Sequence, residues 1–161
     1  MFKNDSVKNL VKYVRWVLFF LIFSSVIVMI VLYRPKTGLK NMKVGPKEIK
    51  VELVSDMTKR AKGLSGRDGL AKDRGLLMIF EEPGKYGIWM KDMKFSIDIF
   101  WIRKNKIVYA EKNVPPPVVG TPDALLPVYV SSTEADMVLE TAAGFADKNK
   151  IQAGDMAELV Y

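Results

Sequence analysis

The chain has few side chains suited to chemistry, because its 161 residues include neither histidine nor cysteine. That inventory excludes a Ser-His-Asp triad, a Cys-His pair and a zinc site built on nitrogen or sulfur ligands. Any catalysis must then use carboxylates, lysine, arginine, tyrosine or a hard metal on oxygen ligands. Because no calcium-loop or phosphate-loop motif occurs either, we expect neither a metal nor another cofactor.

Asp98 is the first candidate, since it interrupts the apolar run from Ile97 to Ile102. Strand alternation places it on one face with Phe100, and both faces of this strand are apolar. We therefore predict a buried carboxylate that needs a cationic or N–H partner. Two interpretations stand: a structural ion pair or turn cap, and a ligand-binding or catalytic group. Glu140, at the end of another apolar run, poses the same alternatives, and there a structural role is favoured.

A second group of candidates lies between Tyr86 and Met93, where large soft side chains alternate with charges. Alternation places Trp89 and Lys91 on one face, and a Trp beside a Lys can line a pocket for a sugar or a small acid. Core packing is the competing explanation, because Trp and Met most often fill cores. Arg60 or Arg67 is expected to complete the site, and the candidate cationic partners of Asp98 are Lys91, Lys94, Arg60 and Arg67.

Short strands must position most of these residues. Two short helices are also predicted, one from Met57 to Lys62 with Ser55 or Asp56 as N-cap and Gly63 as the stop, the other from about Ala142 to Lys148. A polar turn at 103–106 joins two strands in a hairpin. Alternation and apolar runs predict strands at 49–53, 76–80, 97–102, 107–110, 128–130, 137–140 and 156–161. The pattern indicates a mainly β (β-rich α+β) domain, an antiparallel β-sandwich or barrel with two short helices.

Five of the eight prolines fall between Asn113 and Pro127, in a stiff segment that cannot donate ladder hydrogen bonds. This segment is either a surface crossover that guards a sheet edge or a semi-rigid wall over a binding site.

The N-terminal segment is where the formal net charge of +7 resides, because the first 43 residues hold eight basic residues and one acid, and the rest is neutral. Between the basic clusters runs an uncharged stretch, Trp16 to Tyr33. It predicts a transmembrane helix at 16–33, after a basic tail at 1–15 and before a linker at 34–47 and a globular domain at 48–161. A cleaved signal peptide and a buried core helix are the less favoured alternatives.

The partners follow from this charge pattern. The membrane itself is the first, crossed by a single span with anionic lipid headgroups near the basic residues. A short basic tail favours a cytoplasmic N-terminus, and hence an extracytoplasmic domain at the cell membrane. A neutral domain attracts phosphate weakly, so we expect no nucleic acid partner.

The candidate residues also carry a resemblance to a known family. Four stretches occur in order, 59–67 (KRAKGLSGR), 75–80 (GLLMIF), 89–91 (WMK) and 97–99 (IDI), with later matches at 129, 138–140, 143–145 and 154–155. This order resembles the bacterial and archaeal family called domain of unknown function 192. The resemblance implies a compact β-rich sandwich and, since many members are exported, an external domain. Where relatives have Asn-Thr after the WMK motif and Pro before Leu-Asp-Ile, this chain has Asp92-Met93 and Ser96.

The family brings no established activity, so Arg60, Trp89, Lys91 and Asp98 carry over only as signature positions. The leading hypothesis is a non-enzymatic, membrane-tethered ligand-binding or accessory module of the cell envelope, with an envelope small molecule, glycan or protein as partner. Its cleft is expected to form from Trp89, Lys91 and Asp98 with Arg60 or Arg67, walled by the proline-rich segment. One alternative is an enzyme acting on an envelope glycan or small molecule with Asp98 and a second acid. The other is a structural or protein-contact domain with no ligand.

Overall fold

The computed structural model describes residues 3–32 and 38–160, which belong to two compact units. The first unit contains one helix, α1 (Lys3–Leu32). Two of its hydroxyl side chains, Ser24 and Ser25, donate to the helix's own carbonyls at 2.9 and 2.8 Å.

A stretch of this helix, Lys8–Met29, is long and apolar enough to cross a membrane. By these criteria α1 suits either an anchor or a signal sequence. The predicted basic tail is helical from Lys3 onward, and Tyr33 of the predicted span lies outside the described residues.

The second unit is built on a curled seven-stranded sheet with a separate two-stranded sheet. Two short helices accompany the sheets: α2 (Met57–Lys62) and α3 (Phe145–Asn149). The strands are β1 (Leu39–Val44), β2 (Lys47–Val54), β3 (Arg74–Gly84), β4 (Gly87–Trp89), β5 (Ile97–Arg103), β6 (Lys106–Val114), β7 (Val128–Val130), β8 (Ala135–Ala142) and β9 (Ala157–Val160). The large sheet has the order β6-β5-β8-β3-β2-β1-β9, and β4 pairs with β7. The mainly β prediction is confirmed.

The curled sheet brings its two edge strands together. The Ile107 amide donates to the Asp155 carbonyl at 2.9 Å, and the Gly154 amide donates to the Ile107 carbonyl at 2.8 Å. A bridge between Lys106 and Met156 completes the contact. All strand pairs of the described chain are antiparallel except β2 with β3, which are parallel. The crossover through α2 allows this parallel pair, because a parallel strand needs a long connection.

Strand alternation divides the apolar residues between two cores, one on each face of the sheet. On β5, Phe100 lies in the core that faces α3, with Leu139 of β8. Its neighbour Trp101 lies in the opposite core with Val138. The segment from α2 to Leu64 and the β4–β7 pair pack on this second face, which we call the outer face. The outer face holds the candidate site.

Two of the predicted boundaries are wrong. The predicted linker at 34–47 contains β1, which pairs with β2 and β9 and buries Met42 and Val44. Two alternating apolar residues among lysines are too short a pattern to indicate a strand. The second helix begins three residues later than predicted, at Phe145, because β8 extends to Ala142.

Candidate ligand-binding site

A cavity of about 490 Å³ lies on the outer face of the sheet, between β3, β4 and the end of α2. Met78 and Glu140 of the sheet line it, and so do three aromatic side chains, Phe80, Tyr86 and Trp89. This volume is within the range of about 300–1,000 Å³ that small-molecule pockets occupy. The cavity is therefore large enough for a small ligand.

Glu140 is the unusual group in this cavity. Its side chain is only 4% exposed, and its strand neighbours in register are Leu76 and Ile99. The Oε2 atom is buried and accepts no hydrogen bond from any residue that the structure describes. Burial raises the pKa of Glu140 to about 8, although the charge of Arg67 acts in the opposite direction. At neutral pH the carboxyl group is therefore mostly protonated.

The end of α2 closes over this carboxyl group. Asp56 caps the helix start, since its Oδ1 accepts from the Lys59 amide at 2.8 Å. Gly63 ends the helix with φ +49° and ψ −127°, a conformation that is essentially restricted to glycine. A Cβ at Gly63 would lie 3.5 Å from Oε2 of Glu140 and 3.6 Å from Oε1. The helix stop that the sequence predicts thus also sets the space around Glu140.

Arg60 stands on the side of the cavity in a fixed position. Its Nη1 donates to the Ile79 carbonyl at 3.0 Å and to the Ser55 carbonyl. Its guanidinium carbon lies 4.8 Å from the centroid of the Phe80 ring, and Tyr86 stacks on Phe80 at 3.5 Å between centroids. These contacts hold the aromatic side of the cavity in place.

Trp89 forms another side of the cavity and is 40% exposed. Its Nε1 donates to the Ala61 carbonyl at 3.3 Å, which ties β4 to α2. The Lys91 ammonium lies 5.4 Å from the Trp89 ring centroid and forms an ion pair with Asp123. The hydrogen bond that the Lys91 ammonium donates to Asp123 raises the pKa of Lys91. Lys91 lines a shallow neighbouring depression with Trp89 and does not line the cavity itself.

Arg67 and the proline-rich segment both lie outside the cavity. Arg67 lines an adjacent hollow and donates to Glu52 at 2.8 Å. Asp123, which holds Lys91, belongs to a 3-10 turn of the proline-rich segment, but within the described chain no residue from 115 to 127 lines the cavity. The predicted wall is therefore wrong for this cavity.

Asp98 is not brought to the cleft. It is fully buried on the face opposite to Glu140, because it pairs in register with Thr141, and Glu140, one residue along β8, projects the other way. Its Oδ1 accepts from the Asn113 amide at 2.8 Å and the Gly144 amide at 3.2 Å, and its Oδ2 accepts from the Ala146 amide at 2.8 Å. The predicted N–H partners exist, and neither Arg60 nor Arg67 is the partner. Asp98 caps α3, whose own N-cap residue is a glycine without a side chain.

Of the five predicted site residues, the structure thus brings together Arg60 and Trp89 around one cavity. Glu140 also lines this cavity, although the sequence pattern favoured a structural role for it. The signal for it was present, because an acid within the apolar run Val138-Leu139-Glu140 has the same pattern as Asp98. Among the described residues, no group of three or more acidic side chains is placed to hold a metal ion.

The fold and the site define a curled, mainly β domain with a cavity on one face of its sheet and a buried carboxyl group in that cavity. The chain belongs to the family of domain of unknown function 192, described as an uncharacterized ACR, whose sequence profile matches residues 39–159. No curated protein matches the chain.

Two solved structures are similar. One is the crystal structure of a protein from Sinorhizobium meliloti 1021, described as a candidate transcription regulator. It has 24% identity and a TM-score of 0.68, and the alignment covers 76% of this chain and 95% of that one. The other, a protein of unknown function from Novosphingobium aromaticivorans, has 21% identity and a TM-score of 0.68, with 78% and 89% covered. These likenesses show the fold.

Proposed function

We propose that this protein is a membrane-anchored module of the cell envelope that binds a small ligand in the cavity on the outer face of its sheet. The observation that carries this proposal is the buried oxygen Oε2 of Glu140, which has no hydrogen-bond partner among the described residues and belongs to a residue that lines a cavity of about 490 Å³.

A purely structural role for Glu140 is hard to reconcile with its surroundings. A buried polar group without a partner costs about 1–3 kcal/mol, and nearly all such groups in proteins are hydrogen-bonded. An apolar side chain between Leu76 and Ile99 would avoid that cost. Buried, perturbed carboxyl groups beside cavities are concentrated at functional sites, so a ligand that supplies the missing contact explains the residue better.

The anchor and the orientation belong to the same proposal. The apolar stretch Lys8–Met29 has 22 residues, which as a helix reach about 33 Å and match a hydrocarbon core of about 30 Å. The basic residues before it support a cytoplasmic N-terminus and an extracytoplasmic domain.

The enzyme hypothesis loses its working pair in this structure. It required Asp98 and a second acid facing one cleft, and Asp98 is enclosed by three backbone amides on the other face. We therefore do not extend the proposal to catalysis.

A ligand screen on the full chain tests the proposal. The protein is held in a polyoxyethylene detergent, which contains neither sugar nor amine, and unfolding is followed through intrinsic tryptophan fluorescence, to which the fully buried Trp101 contributes. A ligand at about 100 times its Kd should stabilise the domain by about 2.7 kcal/mol. Trp89→Ala should weaken that ligand at least tenfold, because it removes one side of the cavity.

The matched control is Leu125→Ala, which truncates an apolar side chain that is 73% exposed and outside the cavity. It should leave binding unchanged. If no compound of a broad metabolite and glycan library stabilises the protein, or if every hit binds Trp89→Ala and Glu140→Gln as well as the natural chain, the proposal is wrong.

A further inference from the structure

We infer that the ligand of this cavity carries an ammonium group, and that the carboxylate of Glu140 binds it. This inference rests on the proposed function and names the chemical class of its ligand.

The first argument is the kind of partner that Glu140 lacks. A carboxylate accepts hydrogen bonds and carries negative charge, so a charged donor satisfies it most completely. Among the described residues, Arg67 is the cation whose charge is felt at Glu140, and its guanidinium already donates to Glu52 at 2.8 Å. A cation from outside the chain is therefore the missing partner.

The second argument is the chemistry of the cavity's sides. Trp89, Tyr86 and Phe80 present aromatic rings, whose faces attract cations. The structure already shows this attraction on two of them, since the Arg60 guanidinium lies over the Phe80 ring and the Lys91 ammonium lies over the Trp89 ring. Two backbone carbonyls, those of Ser55 and Ile79, hold the Arg60 guanidinium over the Phe80 ring.

The third argument is the balance of charge around the cavity. Three acids line it, Glu81, Glu82 and Glu140, against two bases, Arg60 and Lys62. An anionic ligand would meet at least as many negative as positive groups, whether or not Glu140 is ionised. A neutral polyol can form hydrogen bonds with the protonated carboxyl group but does not favour its ionised form, so proton release on binding separates it from an ammonium.

Proton release follows from this arrangement and makes the inference measurable. Because the pKa of Glu140 is about 8, the empty site is mostly protonated at pH 7, and a bound ammonium favours the ionised form. Binding at pH 7 should therefore release about 0.9 proton, and binding at pH 9 about 0.1 proton. The same linkage makes the Kd about tenfold lower at pH 9 than at pH 7.

The experiment is titration calorimetry with n-butylammonium chloride on the full chain in the polyoxyethylene detergent. Its neutral isostere, 1-butanol, has the same alkyl chain without the charge. Running each titration at pH 7 in two buffers of different ionisation enthalpy counts the released protons. We expect n-butylammonium to bind with release of about 0.9 proton, and 1-butanol to bind at least tenfold more weakly with no release.

Two variants locate the effect. Glu140→Gln keeps the shape of the side chain and should abolish both the binding and the proton release, whereas Glu134→Gln, on an exposed loop outside the cavity, should abolish neither. The buried Trp101 reports whether each variant is folded.

The failures of the two proposals are distinguishable. If 1-butanol or N-acetylglucosamine binds as tightly as n-butylammonium, or if n-butylammonium gives no binding or no proton release, the ammonium inference is wrong. Binding of neutral ligands that Trp89→Ala weakens would in that case still support the proposed function.

Discussion

The buried carboxyl group of Glu140 predicts that this domain loses stability as the pH rises. The side chain is 4% exposed, and burial raises its pKa from 4.5 to about 8 in the folded state. In the unfolded chain the group is ionised above about pH 4.5, while in the folded state it keeps its proton up to about pH 8. The folded state thus binds one more proton between these values, and stability must fall across that window.

The size of the effect follows from the linkage relation. One proton bound more by the folded state corresponds to a loss of about 1.4 kcal/mol per pH unit. Between pH 5 and pH 7.5 the loss attributable to Glu140 is about 3 kcal/mol. Glu140→Gln removes the titration, so the free energy of unfolding of the natural chain minus that of Glu140→Gln should decrease by this amount over the same range. Burying the glutamine amide in the Glu140→Gln variant changes the free energy of unfolding by the same amount at every pH. This constant does not affect the comparison, because the prediction concerns only how the difference changes with pH.

Urea unfolding of the full chain in detergent, followed through intrinsic tryptophan fluorescence between pH 5 and pH 9, measures this difference. Glu134→Gln is the matched control, since it removes an exposed carboxyl group and should keep the slope of the natural chain. A difference between the natural chain and Glu140→Gln that stays flat from pH 5 to pH 8 would refute the reasoning. In that case the carboxyl group is hydrated or paired in the folded protein.

Two further predictions concern the opposite face and the membrane. Asp98→Ala leaves three backbone amides without their acceptor, so we expect the free energy of unfolding to decrease by about 3 kcal/mol or more. The control Asp123→Ala removes an exposed ion pair and should change the free energy of unfolding little. Equal losses in urea unfolding of the two variants would contradict the capping role of Asp98. Because the chain has no cysteine, Ser132→Cys introduces a single exposed thiol, which a membrane-impermeant maleimide should label on intact cells; labelling only after lysis would reverse the proposed orientation.

Local patterns account for the elements that were predicted correctly. The helix α2 runs from Met57 to Lys62 as expected, because its N-cap Asp56 and its stop Gly63 each act within one turn of the chain. The β5–β6 hairpin turns through Lys104 and Asn105, both with positive φ, at the polar turn that the sequence marks. Each of these features depends on residues that are neighbours in sequence.

Pairing between distant segments accounts for what was missed. The strand β1 exists because β2 and β9 lie on either side of it, and only two of its own residues alternate as a strand would. The parallel pairing of β2 with β3 and the meeting of β6 with the turn before β9 likewise join segments whose sequences carry no mark of one another. The prediction that the proline-rich segment forms a wall of the cavity was wrong for the same reason, because its place against the sheet depends on contacts with distant segments.

The sequence by itself determined the family, the mainly β class, the apolar N-terminal helix and the two acids within apolar runs, Asp98 and Glu140. Periodicity and composition are enough for these conclusions, because they depend on single segments. Only the tertiary structure decided which acid faces the cavity. The register of β5 against β8 sends Asp98 and Glu140 to opposite faces, where α3 supplies amides to Asp98 and the glycine end of α2 supplies none to Glu140. The chemistry of each carboxyl group thus depends on the element packed against its face of the sheet, which strand alternation alone does not reveal.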